Sequence, residues 1–357
     1  MKVLHIAISR GHHALIQQTA ELIEYQALNN NKLEISAIVL EDSFIKAHLV
    51  HSRAAIDIAT IKHHQSPTLL LKIWSRLSRH RHDIVHIHGN NGQRMLGAAL
   101  SFYRHPLKVV LSTRDKPGIH FANRIFFRHL SIAITPNQLT RDNLLKPLGY
   151  EVKCRIIAPA IDTDRFRPEE EQRQSIPVIG MFARYDEIKG YPHFFEACRK
   201  LYDNTELPPF KVVISGKDFD RCRDEIESEL EAKKLKGKIT LLKGQRDVAA
   251  DIRKIDIGVI ASVGSEELSR IAMEYMSCGI PVVATKVGSL AEIVSADTGL
   301  LVEPCSPDEL YRALALLLRD EALRARLGKA AREKMINHYS KTLVYPRIEA
   351  LYSELLS

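Results

Sequence analysis

Features that mark several other protein classes are missing from this sequence. Its 357 residues include five cysteines, an odd number, scattered without the spacing of a zinc site or a disulfide framework. No apolar run approaches the roughly 18 residues of a membrane span. The first residues, Met1–His5, read as a strand and not as a signal peptide. We therefore expect a cytoplasmic protein without disulfides or structural zinc.

The glycine pattern of a dinucleotide-binding enzyme is absent as well. Such an enzyme carries G-x-G-x-x-G after its first strand, whereas residues 9–14 contain Gly11 alone. This difference counts against a nicotinamide or flavin enzyme. Gly11 still stands between a strand and a helix, where its backbone N–H can approach a phosphate, although a simple turn glycine explains it equally well.

Charge is unevenly distributed in a chain of otherwise ordinary globular composition. Hydrophobic residues make up 45% and charged residues 26%, and the net charge is +8. Residues 1–165 hold 22 lysines and arginines against 12 acidic residues. This basic half indicates either an anionic partner, such as lipid head groups or a phosphorylated acceptor, or a solvated face without one. Nucleic acid is not expected, because no aromatic-interleaved basic motif accompanies the charge.

Short apolar runs alternate with helical segments in two series. The predicted strands are 3–9, 33–40, 84–88, 108–112 and 131–135, then 178–182, 211–215, 239–242, 255–261 and 282–284. The predicted helices of the first series are 12–29, 68–81, 92–103, 119–130 and 137–147. Further helices are predicted between the strands of the second series, and those of the tail are 308–337 and 341–356, with Pro346 interrupting the tail. Alternation of this kind is typical of parallel α/β sheets covered on both faces.

Two Rossmann-like domains follow from these two series. We predict an N-terminal domain over 1–166, a polar linker over 167–176, a C-terminal domain over 177–337 and a terminal helix over 338–357. Ligands of open α/β sheets bind outside the carboxyl ends of the strands, so we expect a cleft onto which both sheets open.

Two glutamates separated by seven residues, Glu266 and Glu274, lie in the most informative segment, 262–288. We expect Glu266 at a helix N-terminus and Glu274 two turns along the same helix. The N-terminus suits a diphosphate, and the second carboxylate can accept hydrogen bonds from ribose hydroxyls. Taken alone, the two glutamates are more simply explained as residues on the solvent-exposed face of an amphipathic helix.

Two cations follow the predicted strand 178–182. Arg184 and Lys189 lie in the loop between this strand and the next helix. Fixed cations in a dry site stabilise a departing diphosphate without proton transfer. In isolation they would be interpreted as solvated loop residues.

Two histidines end the predicted strand 84–88. Alternation places His86 and His88 on one face, with His88 at the strand end. No third ligand is spaced for a metal site. We expect His86 to be a hydrogen-bonded core residue and His88 to offer a hydrogen-bonding group to a ligand.

Together, these segments resemble the group 1 (family 4) retaining glycosyltransferases of the GT-B fold. The strongest agreement covers 178–190 and 262–292; in the latter segment the matching residues are Ser262, Glu266, Glu274, Met276, Gly279, Pro281, Val282, Gly288 and Glu292. One departure concerns residues 267–270, Glu-Leu-Ser-Arg, where the family commonly has Gly-Phe-Gly. The lost glycines change how closely backbone can approach the donor sugar.

The resemblance implies a set of site residues. Arg184, Lys189, Glu266 and His88 would be the catalytic group, with Glu266 and His88 near the donor sugar. Glu274 would bind the ribose, and backbone N–H groups near Leu268, Ser269 and Gly11 would approach the diphosphate and sugar. No metal or other cofactor is required in this scheme.

The resemblance also implies partners. The donor would be a nucleotide-sugar, and the acceptor a saccharide or lipid-linked glycan, anionic in character, in cell-envelope polysaccharide or lipopolysaccharide synthesis at the cytoplasmic membrane face. The alternatives are a nucleotide-sugar epimerase or hydrolase on the same fold, and a non-catalytic nucleotide-sugar-binding protein.

One predicted helix has a composition suited to a membrane surface. Residues 69–82 combine an apolar stripe with Lys72, Arg76, Arg79 and Arg81. The segment is either a packed helix with a basic outer face or a face that seats the N-terminal domain on anionic lipid, together with Arg124 and Arg128.

Overall fold

Parallel strands form the centre of both halves of this protein, as the computed structural model shows. The structure describes residues 1–10, 14–63, 67–113, 121–145, 152–169, 176–216, 219, 221–242, 247–264, 266 and 269–357. The chain divides into an N-terminal domain, Met1–Ala160 with Thr342–Ser357, and a C-terminal domain, Ile161–Lys341. The sequence had placed the boundary at 166 and a linker at 167–176, of which 170–175 lie outside the described residues.

The N-terminal domain is built on seven parallel strands. These are β1 (Lys2–Ala7), β2 (Glu34–Leu40), β3 (Asp57–Ile61), β4 (Ile84–His88), β5 (Lys108–Ser112), β6 (Ile132–Thr135) and β7 (Cys154–Ile156), in the sheet order β3-β2-β1-β4-β5-β6-β7. The helices are α1 (Ala14–Asn29), α2 (Phe44–His51), α3 (Pro67–His80), α4 (Gln93–Phe102), α5 (Phe121–His129) and α6 (Gln138–Leu145). The strand order reverses between β1 and β4, as in a Rossmann sheet.

The C-terminal domain repeats this plan with six parallel strands. They are β8 (Val178–Phe182), β9 (Lys211–Ser215), β10 (Ile239–Leu242), β11 (Ile257–Ile260), β12 (Val282–Thr285) and β13 (Gly299–Val302), in the order β10-β9-β8-β11-β12-β13. The helices are α7 (Tyr191–Asp203), α8 (Arg223–Ala232), α9 (Val248–Ile252), α10 (Arg270–Ser277), α11 (Leu290–Ile293), α12 (Pro307–Arg319) and α13 (Glu321–Lys334). The order reverses between β8 and β11.

The last helix, α14 (Lys341–Leu356), returns to the N-terminal domain. Its buried residues Val344, Tyr345 and Tyr352 join the same apolar cluster as Val3 and Ile23. The predicted interruption at Pro346 is wrong, since the helix continues through this residue. Burial of one face of α14 outweighs the single backbone hydrogen bond that proline removes.

One predicted helix needs correction, and several elements were not predicted. The tail prediction 308–337 is two helices, because Asp320 ends α12 and its carboxylate accepts a hydrogen bond from the backbone N–H of Leu323 to begin α13. The elements α2, β3, β7, α11 and β13 were not predicted. Strands β3 and β7 lie at the sheet edges, where the apolar signal is weak, and Ile156 is 40% exposed.

The apolar cores lie on both faces of each sheet. In the N-terminal domain, Val3 and Ala7 belong to one cluster, while Leu4 and Ile6 belong to the other. Alternate strand residues therefore face opposite layers, as the period of two requires. In the described part of the chain, no helix is long and apolar enough to cross a membrane.

Candidate active site

The sequence-predicted residues of the C-terminal domain follow two neighbouring strands. Arg184 and Lys189 come after β8, Glu266 comes after β11, and β8 pairs with β11 in parallel. The carboxyl ends of these strands flank the point where the strand order reverses, which is where open α/β sheets bind ligands. The topology thus brings these predicted residues to one edge of the sheet.

The loop that carries Lys189 is held against the end of β11. The backbone N–H of Val263 donates to the carbonyl of Ile188 at 2.8 Å. Gly190 has φ of +72°, and a Cβ there would lie 1.9 Å from the carbonyl oxygen of Ala261. Only glycine fits this approach. Asp186 caps the short 3₁₀ turn Glu187–Lys189 by accepting from the N–H of Ile188.

Lys189 and Glu266 meet directly. The Lys189 Nζ lies 2.5 Å from Glu266 Oε1, and the Ser262 hydroxyl donates to the same oxygen at 2.6 Å. The Glu266 side chain is 7% exposed and that of Lys189 is 22% exposed. A carboxylate this buried needs a charged partner, which Lys189 supplies.

The backbone of Glu266 is fixed by the loop after β12. Its carbonyl oxygen accepts from the N–H of Ser289 at 2.7 Å and from the Ser289 hydroxyl at 3.1 Å. Gly288 has φ of +55°, and a Cβ there would lie 2.1 Å from the same carbonyl oxygen. Two separate loops therefore hold Glu266 in place.

Helix α10 begins later than the sequence suggested. It runs from Arg270 to Ser277, so Glu266 precedes it, and Glu274 lies about one turn inside it instead of two. The helix ends with Gly279 at φ of +70°, where the N–H of Gly279 bonds to Met276 O and that of Ile280 to Tyr275 O. This Schellman motif accounts for the Gly-Ile-Pro exit into β12.

Two features at α10 were not predicted. The guanidinium Nε of Arg270 donates to Glu274 Oε1 at 2.9 Å, and both side chains are about nine-tenths buried, at 10% and 11% exposed. At the helix N-terminus, the buried hydroxyl of Ser269 has no hydrogen-bond partner among the described residues. An unsatisfied buried hydroxyl beside free helix N–H groups is suited to an anionic ligand.

Arg184 differs from Lys189 in its surroundings. Its side chain is 67% exposed, and its Nη2 lies 3.6 Å from Asp186 Oδ2. It is free to reorient toward a ligand because little packing holds it. The described residues do not include Gly11 or Leu268, so these two predictions are not addressed by the structure.

In the N-terminal domain, three buried histidines meet at the other reversal of strand order. His5 on β1 is the register partner of His86 on β4, and His88 ends β4. The sequence prediction of no third ligand near His86 and His88 is wrong, since His5 places a ring nitrogen within 4.8 Å of theirs. The β1–β4 pairing that brings His5 into position cannot be read from spacing along the chain.

Hydrogen bonds account for these histidines. His86 Nδ1 lies 2.5 Å from the Tyr352 hydroxyl and its Nε2 lies 2.8 Å from Ser112 Oγ, as expected of a core histidine. His5 bonds to His88 and to Gln26. Burial lowers the pKa of His5 to about 3 and lowers the pKa values of His86 and His88 well below 6.5. All three are therefore neutral at pH 7.

His88 lines two cavities of the N-terminal domain. One also includes Gln18, Ser112, Thr113 and Tyr345, and the other includes Ser9 and Asn90 among its lining residues. His88 is thus the member of the histidine cluster placed to meet a ligand, at the carboxyl edge of its sheet.

Comparison with solved structures identifies the fold. A glycosyltransferase from Rickettsia africae superposes with a TM-score of 0.86 at 19% identity, over 100% of this chain and 98% of that one. At this identity the likeness shows the fold alone. The fold is GT-B, with two Rossmann-like domains, and the fold prediction is confirmed.

Sequence comparison adds a family match. Residues 162–334 match the model described as Glycosyl transferases group 1. The D-inositol 3-phosphate glycosyltransferase of Corynebacterium jeikeium is 30% identical over 203 residues, 51% of this chain. The chain spans about half the length of that relative, 48%. The UDP-Gal:alpha-D-GlcNAc-diphosphoundecaprenol alpha-1,3-galactosyltransferase of Escherichia coli is 21% identical over 100% of this chain and 99% of the relative.

Proposed function

We propose that this protein is a retaining glycosyltransferase that moves a sugar from a nucleotide-sugar to a saccharide or lipid-linked acceptor. The observation that carries the proposal is the Lys189–Glu266–Ser262 cluster at the β8–β11 reversal, in the region that matches the family model. This is the place where a Rossmann-like domain receives a nucleotide.

The donor occupies the C-terminal domain in this proposal. Lys189 and Arg184 stabilise the negative charge that develops on the departing nucleoside diphosphate, and the N-terminus of α10 with Ser269 adds hydrogen-bond donors. Glu274 accepts hydrogen bonds from the ribose hydroxyls, and Arg270 orients it. Glu266 accepts hydrogen bonds from hydroxyls of the donor sugar.

The proposed reaction needs no metal and no enzymic nucleophile. Cations and a helix N-terminus take the charge of the leaving group, and transfer proceeds with retention of configuration at the anomeric carbon. Because both ring nitrogens of His5 and of His86 already make hydrogen bonds within the domain, these histidines support a hydrogen-bonding role over metal ligation.

The acceptor is proposed to be a cell-envelope glycan or its lipid-linked precursor. Supporting this, the relative that aligns over the whole chain carries diphosphoundecaprenol in the name of its acceptor. The basic N-terminal half suits a phosphorylated acceptor and an anionic membrane surface at the cytoplasmic side. The name of the same relative includes a UDP-sugar, so UDP-sugars are the first donors to test.

A donor panel tests the proposal. UDP-, GDP-, ADP- and CMP-sugars are compared for their effect on thermal unfolding, and the stabilising donor is then incubated with undecaprenyl-diphosphate-linked and free saccharides. We expect one nucleotide class to stabilise the protein and a glycoside to form, with the anomeric configuration of the donor retained by NMR.

Other outcomes distinguish the alternatives. Conversion of the donor without any acceptor would indicate an epimerase or hydrolase. Donor binding without turnover in any reaction would indicate a binding protein. An inverted anomeric centre in the product would overturn the retaining mechanism while leaving the transferase activity intact.

A further inference from the structure

A chain of hydrogen bonds runs from helix α1 to the ligand-facing end of β4. Gln26 Oε1 lies 3.0 Å from His5 Nε2, and His5 Nδ1 lies 3.0 Å from His88 Nε2. Gln26 and His5 are completely buried and His88 is 7% exposed. The other ring nitrogen of His88, Nδ1, has no hydrogen-bond partner among the described residues.

The amide oxygen of Gln26 determines which atom donates in each of these hydrogen bonds. An amide oxygen can only accept, so His5 Nε2 must carry the hydrogen. In a neutral imidazole the other nitrogen is then an acceptor, so His5 Nδ1 accepts from His88 Nε2–H. His88 Nδ1 is in turn left with a lone pair.

We propose that Gln26 and His5 are positioning residues that hold His88 in its Nε2–H tautomer, so that Nδ1 accepts a hydrogen bond from a hydroxyl of the bound sugar. Neither residue touches the ligand itself. The identity of the ligand rests on the proposed function, whereas the tautomer does not.

His86 belongs to a second hydrogen-bonded set, which meets the first at Gln26, because the Gln26 side chain also interacts with the Tyr352 hydroxyl. The two ring nitrogens of His86 pair with the Tyr352 hydroxyl and with Ser112 Oγ, although the His86 ring centroid lies only 4.0 Å from that of His88. The three histidines are therefore close enough to suggest a metal, yet the nitrogens of His5 and His86 are used within the protein. Only His88 has a nitrogen to offer.

Nitrogen-15 NMR of the histidine-labelled full chain tests the tautomer. Protonated and unprotonated ring nitrogens resonate far apart, and the His88 signals are assigned by their loss in His88→Gln. We expect a protonated Nε2 and an unprotonated Nδ1. Gln26→Leu should mix the tautomers, because it removes the acceptor that fixes the hydrogen on His5 Nε2. A protonated Nδ1 in the unsubstituted protein, or an unchanged tautomer in Gln26→Leu, would overturn the proposal.

A matched control separates the tautomer from general packing. Ser36→Ala removes the partner of another buried histidine, His82, whose Nε2 lies 2.8 Å from Ser36 Oγ. His82 precedes β4, at the opposite edge of the same sheet from His88. This variant should leave the His88 signals unchanged. Loss of the His88 tautomer here as well would mean that any cavity in the sheet disturbs it, and would overturn the specific role of Gln26.

Kinetics supplies the second readout. Loss of one neutral hydrogen bond in the transition state corresponds to about a tenfold lower kcat. Gln26→Leu should show this loss. Absence of transfer in the unsubstituted protein and in every variant would refute the proposed function, but it would not refute the tautomer of His88. Unchanged kcat in Gln26→Leu, with active unsubstituted protein, would refute the positioning role.

Discussion

Lys189 Nζ and Glu266 Oε1 are 2.5 Å apart, and this ion pair joins the loops that follow β8 and β11. We assign two roles to this ion pair. It neutralises a carboxylate that is 7% exposed, and it holds a cation where a diphosphate is proposed to bind. A substitution at Lys189 therefore affects stability and transfer together, and the two effects can be separated.

Lys189→Ala should lower transfer by at least about a hundredfold, because it removes a charge-assisted contact that strengthens as the leaving group departs. It should also lower the free energy of unfolding by roughly 1–3 kcal/mol, since Glu266 stays buried without its cation. Steady-state kinetics and urea titration measure the two effects.

The double variant Lys189→Ala/Glu266→Gln is the control. Removing the unpaired charge should recover most of the stability but none of the activity. Recovery of both would mean that Lys189 acts only through folding.

Arg184→Ala should lower transfer with little effect on stability. The side chain is 67% exposed, so stability should change by no more than about 0.5 kcal/mol. Transfer should still fall by about a hundredfold if Arg184 grips the diphosphate. Arg319→Ala, which removes another exposed cation of the same domain, is the matched control and should leave kinetics unaltered. Equal rates for the two variants would remove Arg184 from the site.

Glu274→Gln should weaken binding of the free nucleoside diphosphate by roughly 1–3 kcal/mol through lost ribose contacts. Arg270→Ala should weaken it less, since Arg270 only orients the carboxylate. Glu266→Gln should instead reduce affinity for the intact donor. Calorimetry with nucleoside diphosphate and donor compares the three variants. Unchanged nucleotide affinity in Glu274→Gln would rule out the ribose role.

The sequence predicted features that depend on neighbouring residues, and it missed features that depend on contacts between distant segments. Strands such as 84–88 and 178–182 are exact, because continuous apolar runs bounded by polar residues are local signals. The partner of Glu266 was not predicted, although Lys189 and Glu266 were each identified. Which side chains meet depends on β8 pairing with β11, across about 80 residues of chain.

The histidine cluster shows the same limit. His86 and His88 were correctly placed on one face by alternation, and His5 stands in an apolar first strand where nothing local distinguishes it from a core residue. Its role follows only from the pairing of β1 with β4 and from Gln26 on α1. A histidine among apolar strand residues, in two strands of one sheet, is the signal that could have indicated the cluster.

Acid should destabilise the N-terminal domain between about pH 6.5 and pH 5. Burial lowers the pKa of His5 to about 3 and of His82 to about 4, from 6.5. The unfolded chain therefore binds protons that the folded state does not, and stability present above pH 6.5 is lost as the pH falls. Each such histidine lowers the free energy of unfolding by up to about 1.4 kcal/mol for each pH unit of acidification in this window.

The single tryptophan, Trp74 on α3, makes this measurable, because its fluorescence follows unfolding of the N-terminal domain. Urea midpoints at pH 7, 6 and 5 should decrease. His82→Gln, which lies away from the proposed ligand site, should reduce the slope by about one proton. A midpoint independent of pH over this range would contradict the assignment of these histidines as buried and neutral.

The last prediction concerns the surface formed by α3, and the structure changes which of its residues matter. Arg76 is bound to Asp57 and Lys72 to the carbonyl of Thr60, so these two cations already have partners. Leu71 and Trp74 are 66% and 39% exposed, and Arg79 is exposed on the same helix. Apolar and cationic groups together suit an anionic lipid surface, each cation contributing on the order of 1 kcal/mol before screening by salt.

The full chain should therefore sediment with phosphatidylglycerol vesicles but not with phosphatidylcholine vesicles, with a blue shift of Trp74 emission. Arg79→Glu should weaken this binding, whereas Arg223→Glu in the C-terminal domain should not. Equal recovery in the supernatant with both lipids would assign the basic half to an anionic acceptor instead.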